Sequence, residues 1–170
     1  MEDFLKEYLT VLKLEKNLSD NSVSSYETDL KKFLDFIEEK KIKSMVSALH
    51  HRGPDDEGIH IDSDFAFGHR RLSIIDLDLG KQPMANMDGS VYITFNGEIY
   101  NYKELVPELE KSGHIFKTRS DTEIIIHAYE QWGAKCLDYF NGMWAFILYD
   151  QKKKRIFASR DRFGIKPLYY

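Results

Sequence analysis

At 170 residues, the chain has room for one ordinary domain and a small appendage. Its 42% hydrophobic and 14% aromatic content is enough for a packed core and excludes a disordered chain. A formal charge of −4 leaves no overall basic field for nucleic acid, and the single cysteine, Cys136, excludes an internal disulfide and suits a reducing, cytosolic setting.

The opening residues, MEDFLKEYLTVLK, carry early acids and no uninterrupted apolar run, so they read as neither a signal peptide nor a membrane span. From Asp3 to about Lys43 the apolar residues recur at helical spacing. Phe4, Tyr8, Val11 and Leu12 mark one face, and Tyr26, Leu30, Phe33, Phe36 and Ile37 mark another. Asn17 to Asn21 separate the two, and Ser19 or Asp20 suits the N-cap of the second helix. Residues 1–43 therefore read as an α-helical hairpin, and 44–170 as a separate region of different texture.

After residue 50 come short strands, glycines and turns. Phe65 and Phe67 begin a strand that continues through HRRLSIID, and Met87-Asp88-Gly89 is a turn before a strand over 91–95. That strand stops at Asn96-Gly97, with Glu98 to Leu109 reading as helical. Asn-Gly is a strong hairpin signal, yet no second strand follows. Either the pair is a loop that tolerates positive φ, or it presents an amide side chain and a bare backbone N–H to something. Tyr102 to Lys111 is amphipathic, with Leu105 and Leu109 on one side and Gly113 as its stop. Ser120 and Glu123 form a capping box that opens a helix through Trp132, ended by Gly133. MWAFILYD and RIFASRD are strands joined by a polar turn, which favours an α+β layered domain.

Four polar stretches lie where strands begin or end: HHRGPDDEG, GHRRLSIID, FNGEIYN and RSDTE. Each alone has an ordinary structural explanation. Arg-Gly-Pro-Asp is a turn by composition, Arg70 and Arg71 suit a solvated strand face, and Asp121 complements a helix dipole. Together they suggest recognition of a zwitterion: an arginine for a carboxylate, an aspartate for an ammonium, and Asn with Gly N–H as a two-donor oxyanion hole.

The segments MVSALHHRGPDDEG, FGHRRLSIID, GKQPM, TFNGEIYNYKEL, SDTEIIIHAYEQWG, NGMWAFILYD and SRDRFGIKPLYY occur in that order. Through them residues 45–170 closely resemble the glutaminase (class II glutamine amidotransferase) domain of glutamine-hydrolysing asparagine synthetases. The resemblance implies an N-terminal-nucleophile hydrolase-like fold of stacked antiparallel sheets with flanking helices, here incomplete. It implies that Arg71 binds the α-carboxylate of L-glutamine, with Leu72, Ser73, Ile74 and Ile75 as the adjacent wall. Asn96 and Gly97 would form the catalytic oxyanion hole, Glu98 would line the pocket, Asp121 would hold the α-ammonium, and His51 to Asp55 would shape the floor.

The sequence departs from the family at its nucleophile, a cysteine that is the first residue. This chain starts Met1-Glu2-Asp3, and Cys136 lies in a segment that reads as a short core-facing helix, where thiols are inert. The expectation is a glutaminase scaffold with impaired hydrolysis. The chain ends at PLYY, before the family's synthetase domain, so ATP and magnesium belong to that absent domain and no cofactor is expected here. The absent first strand leaves a sheet edge for a synthetase domain or a second copy to cover. His50, His51, His60, His69, His114 and His127 show no i, i+4 pairing or Cys/His spacing, so no metal is expected.

The first 43 residues, with LEKNLSDNS, are similar to the start of the core-binding domain of Xer-type tyrosine recombinases. That likeness implies Lys16, Asn21, Ser22 and Ser25 near DNA phosphates. Against it, residues 1–43 hold eight Lys and ten Asp or Glu, a net −2. Hence a hairpin that packs on protein is expected over a DNA-binding module, with a non-functional fusion as the other alternative.

Overall fold

The computed structural model describes residues 19–71 and 80–169. The expected first helix, with Phe4, Tyr8, Val11, Leu12 and Lys16, lies outside the described residues, as do Leu72, Ser73, Ile74 and Ile75. The chain divides into two compact units, Met1–Ser44 and Met45–Tyr170. Helix α1, Asp20–Ala48, begins directly after Ser19 and runs past the expected end at Lys43. No glycine or proline interrupts those 29 residues, so nothing local stops the helix. Asn21 and Ser22 fall in its first turn, and Ser25 is exposed.

The second unit is layered α+β. Strands β1 (Asp56–Ile61) and β2 (Ala66–Arg71) form an antiparallel ribbon, in register from Asp56 opposite Arg71 to Ile61 opposite Ala66. A four-stranded antiparallel sheet has the order β3 (Met84–Ala85), β4 (Val91–Ile99), β5 (Gly142–Asp150), β6 (Arg155–Arg160). Alternation along β4 divides its side chains between two layers. Val91, Ile93, Phe95 and Ile99 are buried with Phe146 and Leu148 of β5. Against them lie α2 (Tyr102–Lys111), through Leu105 and Leu109, and α3 (Asp121–Trp132), through Ile124, Ile125 and Ala128. On the other face, Tyr92 stacks on His60 of the ribbon at 4.0 Å, Tyr149 meets Phe65 at 4.4 Å, and Thr94 Oγ1 lies 3.0 Å from His69 Nδ1.

Two expectations are corrected. The strand expected over 91–95 does not end at Asn96-Gly97; it continues to Ile99, paired residue by residue with β5 as far as Gly142. Glu98 is therefore strand, not helix. The partner strand explains the extension, because Gly97 lies opposite Trp144, and a Cβ at 97 would come within 2.7 Å of Trp144 Cα. Glycine lets the ladder close where another residue would force it apart. The capping box is also incomplete. Ser120 accepts from Thr122 N, but the Glu123 carboxylate turns back to Lys117 N and Thr118 N at 2.8 and 2.7 Å. Gly133, at φ 60°, ends α3 where expected. A 3-10 helix, Gly133–Asp138, then carries Cys136 into the core.

Candidate functional site

A cavity of about 930 Å³ opens in the second unit, and Arg71, Asn96, Gly97, Glu98 and Asp121 all line it. These residues come from three elements separated by up to fifty positions, and the fold brings them to one cavity.

Arg71 closes β2 and is only 9% exposed. The HHRGPDD loop braces its backbone. Asp55 N donates to Arg71 O at 3.1 Å, and a Cβ on Gly53 would sit 2.5 Å from Arg71 N, so only glycine allows that approach. His51 and Arg52 of the same loop line the cavity, whereas Gly53, Pro54 and Asp55 do not. The charge of Arg71 is felt by its neighbour His69. Burial first, and then the Arg71 guanidinium, hold that imidazole down to about 4.

Asp121 opens α3, is 9% exposed, and accepts a hydrogen bond from Ile99 N at 3.0 Å. Burial pushes its carboxyl above the ordinary range, the Ile99 bond opposes this, and the nearby Glu98 adds to it. A buried acid of this kind gains most from a cation. The arrangement therefore favours an ammonium at Asp121 and a carboxylate at Arg71.

Between them runs the free edge of β4. Strand β3 reaches β4 only at Tyr92 and Ile93. Beyond it, Phe95 N donates to Gln82 Oε1 at 2.6 Å and Ile99 N donates to Asp121. Alternate N–H groups of a strand point to one edge, so Gly97 N–H lies between these two and faces the same way. Asn96 is exposed on the ribbon side and lines the cavity beside it. An amide side chain and a backbone N–H thus line the same cavity, two groups able to donate to an oxygen.

Sequence reasoning missed several participants. Gln82 links β4 to α3, its Nε2 reaching Thr122 Oγ1 at 3.4 Å. GKQPM stood out as a motif, but nothing in it said that the amide would take the place of a fourth strand residue. Lys166 and Pro167 line the cavity because Asp161 folds the chain after β6. Its carboxylate accepts from Phe163 N, Ile165 N and Lys166 N at 3.0–3.1 Å. Burial pushes that acid up, and the N–H bonds outweigh it and bring it to about 2. Cys136 stands apart. It is 0% exposed, does not line the cavity, and burial pushes its thiol up to about 12. The expectation that it is an inert core residue agrees with this placement.

Two family models match overlapping stretches of the chain. Residues 29–170 match the family model described as glutamine amidotransferase domain, and residues 5–52 match that of the phage integrase N-terminal SAM-like domain. The glutamine-hydrolyzing asparagine synthetase 2 of Bacillus subtilis is 52% identical over 76% of this chain and 17% of its own length. Its counterpart 3 from the same organism is 43% identical over 84% of this chain and 23% of its own. The glutamine-hydrolyzing asparagine synthetase of Zea mays is 45% identical over 76% and 22%. The chain thus spans about a fifth of the length of these relatives. Among solved structures, the glutamine phosphoribosylpyrophosphate amidotransferase of B. subtilis aligns with a TM-score of 0.50 at 27% identity, covering 60% of this chain and 24% of that one.

Proposed function

The chain belongs to the glutamine amidotransferase domain family, as a glutaminase-type domain homologous to those of asparagine synthetases, and on that footing we propose that its cavity binds L-glutamine. Arg71 takes the α-carboxylate, Asp121 the α-ammonium, and Asn96 with Gly97 N–H the side-chain amide oxygen, while Glu98 lines the wall. One observation carries this reading: an arginine, a buried acid and an unpaired strand edge share one cavity.

Hydrolysis by this route needs a thiolate that bonds to the amide carbon as the C–N bond breaks, the thiol proton leaving with ammonia, and a water that then cleaves the thioester. These 170 residues offer one thiol, sealed in the core. We therefore assign this chain binding and polarisation of the amide, with cleavage impaired. The relatives are named as glutamine-hydrolyzing asparagine synthetases, so in this reading ammonia released at such a pocket would serve asparagine synthesis.

Calorimetric titration with L-glutamine tests the pocket. Asp121→Asn keeps an acceptor for Ile99 N but loses the charge, and should weaken binding by about 1.5–3 kcal/mol, roughly 10- to 100-fold. Arg71→Ala should do at least as much. Unchanged affinity in either variant removes the assignment. Ammonia release from glutamine at a clear rate, abolished by Cys136→Ala, would overturn the assignment of impaired cleavage.

A further inference from the structure

Outside the residues that line the cavity, three side chains converge. His114 lies in the turn after α2, and His127 and Glu130 are one helical turn apart on α3. His114 Nδ1 lies 3.2 Å from His127 Nδ1. His127 Nδ1 lies 3.0 Å from Glu130 Oε2, and His114 Nδ1 lies 3.8 Å from the same oxygen. Two imidazole nitrogens and a carboxylate oxygen thus form a triangle with edges of 3.0, 3.2 and 3.8 Å. A tetrahedral zinc ion, with bonds of about 2.0–2.1 Å, spaces its ligands about 3.3–3.4 Å apart, which the mean edge of this triangle matches.

The outer atoms of two of the three are hydrogen-bonded, as ligand orientation requires, while His127 Nε2 has only the Glu123 carboxylate near it. His114 Nε2 meets Gln131 Oε1 at 3.1 Å, His127 Nε2 faces Glu123 Oε1 at 3.6 Å, and Glu130 Oε1 accepts from Asn86 Nδ2 at 2.7 Å. His127 is buried and the other two are partly exposed, so an ion would have a protein floor and a position open to water. We propose that His114, His127 and Glu130 bind one divalent transition-metal ion of the zinc class, with solvent as the fourth ligand.

This proposal departs from the expectation of no metal drawn from sequence. That expectation looked for histidines at i, i+4, whereas this set is His-x-x-Glu on one helix plus a histidine thirteen residues earlier. An ion here would tie the turn after α2 to the middle of α3 and, through Asn86, to the turn between β3 and β4. It would brace the helix that presents Asp121.

The full chain, stripped with chelator and titrated with zinc chloride by calorimetry, should bind one ion and melt at a higher temperature with zinc than without. Cobalt(II) in its place should give the intense visible bands of a tetrahedral N/O site. His114→Ala and Glu130→Gln, each read against its own metal-free melt, should lose both signals. Asn86→Ala should weaken binding roughly 10- to 100-fold. Asp121→Asn should bind zinc like the parent, which separates this site from the glutamine reading. Failure of the parent chain to bind zinc, or unchanged binding in both ligand variants, would overturn the proposal.

Discussion

At the scale of single residues, Gly97 shows how a backbone requirement becomes a chemical one. It faces Trp144 across the β4–β5 ladder, where a side chain has no room, and its N–H points to the edge that β3 leaves uncovered. Gly97→Ala should cost roughly 1–3 kcal/mol of stability through forced displacement of Trp144. It should also weaken glutamine binding beyond that of a control variant of equal stability. A thermal melt and a calorimetric titration measure the two effects separately. His69 gives a pH prediction. Its imidazole is held at about 4 in the folded state, first by burial and then by Arg71, against an ordinary value of 6.5. As pH falls below 6.5 the unfolded chain takes up a proton that the folded chain resists until about 4. Stability should therefore drop through that window, by on the order of 2–3 kcal/mol. His69→Asn, which can keep the contact with Thr94 but does not titrate, should show a smaller drop in melts run between pH 7 and 4.

At the scale of elements, the β4 edge is held by side chains rather than by a strand. Gln82 takes the N–H of Phe95 and Asp121 takes that of Ile99. Gln82→Ala leaves a buried donor without its acceptor and should cost about 1–3 kcal/mol. Amide exchange at Phe95 should speed up more than exchange at Leu148, which pairs inside the sheet. The core behind that edge is ordinary in its energetics. Phe146 is buried between Phe95 and Phe157, and Phe146→Ala should lose about 3–5 kcal/mol, read from the denaturant midpoint. These elements also show where sequence reading works. Leu105 and Leu109 mark the buried face of α2, and Gly133 marks the end of α3, because helical period and a positive-φ glycine are local signals. The end of β4 was misplaced because the stop signal, Asn-Gly, is local as well. What carried the strand through it was Gly142 to Ala145, more than forty residues away.

For the whole molecule, charge rather than fold bears on the first unit. Residues 5–52 match an integrase SAM-like model, yet residues 1–43 carry eight Lys against ten acids. A phosphate-tracking surface draws affinity from clustered cations. No salt-dependent shift of duplex DNA is expected from the full chain in a mobility assay, and a shift lost on Lys16→Glu would reverse that. Among the described residues no helix is long and apolar enough to cross a membrane. The sequence by itself determined the family, the α+β texture, the helical faces and the residue types for a zwitterion, because motif order, period and charge are written along the chain. Tertiary structure decided where those types meet. Arg71, Gly97 and Asp121 become one cavity only when the β1–β2 ribbon and α3 are brought to the open edge of β4. His114, His127 and Glu130 become neighbours only when the turn after α2 folds back on α3. Contacts between distant residues depend on how the layers pack, and one-dimensional spacing does not encode that packing.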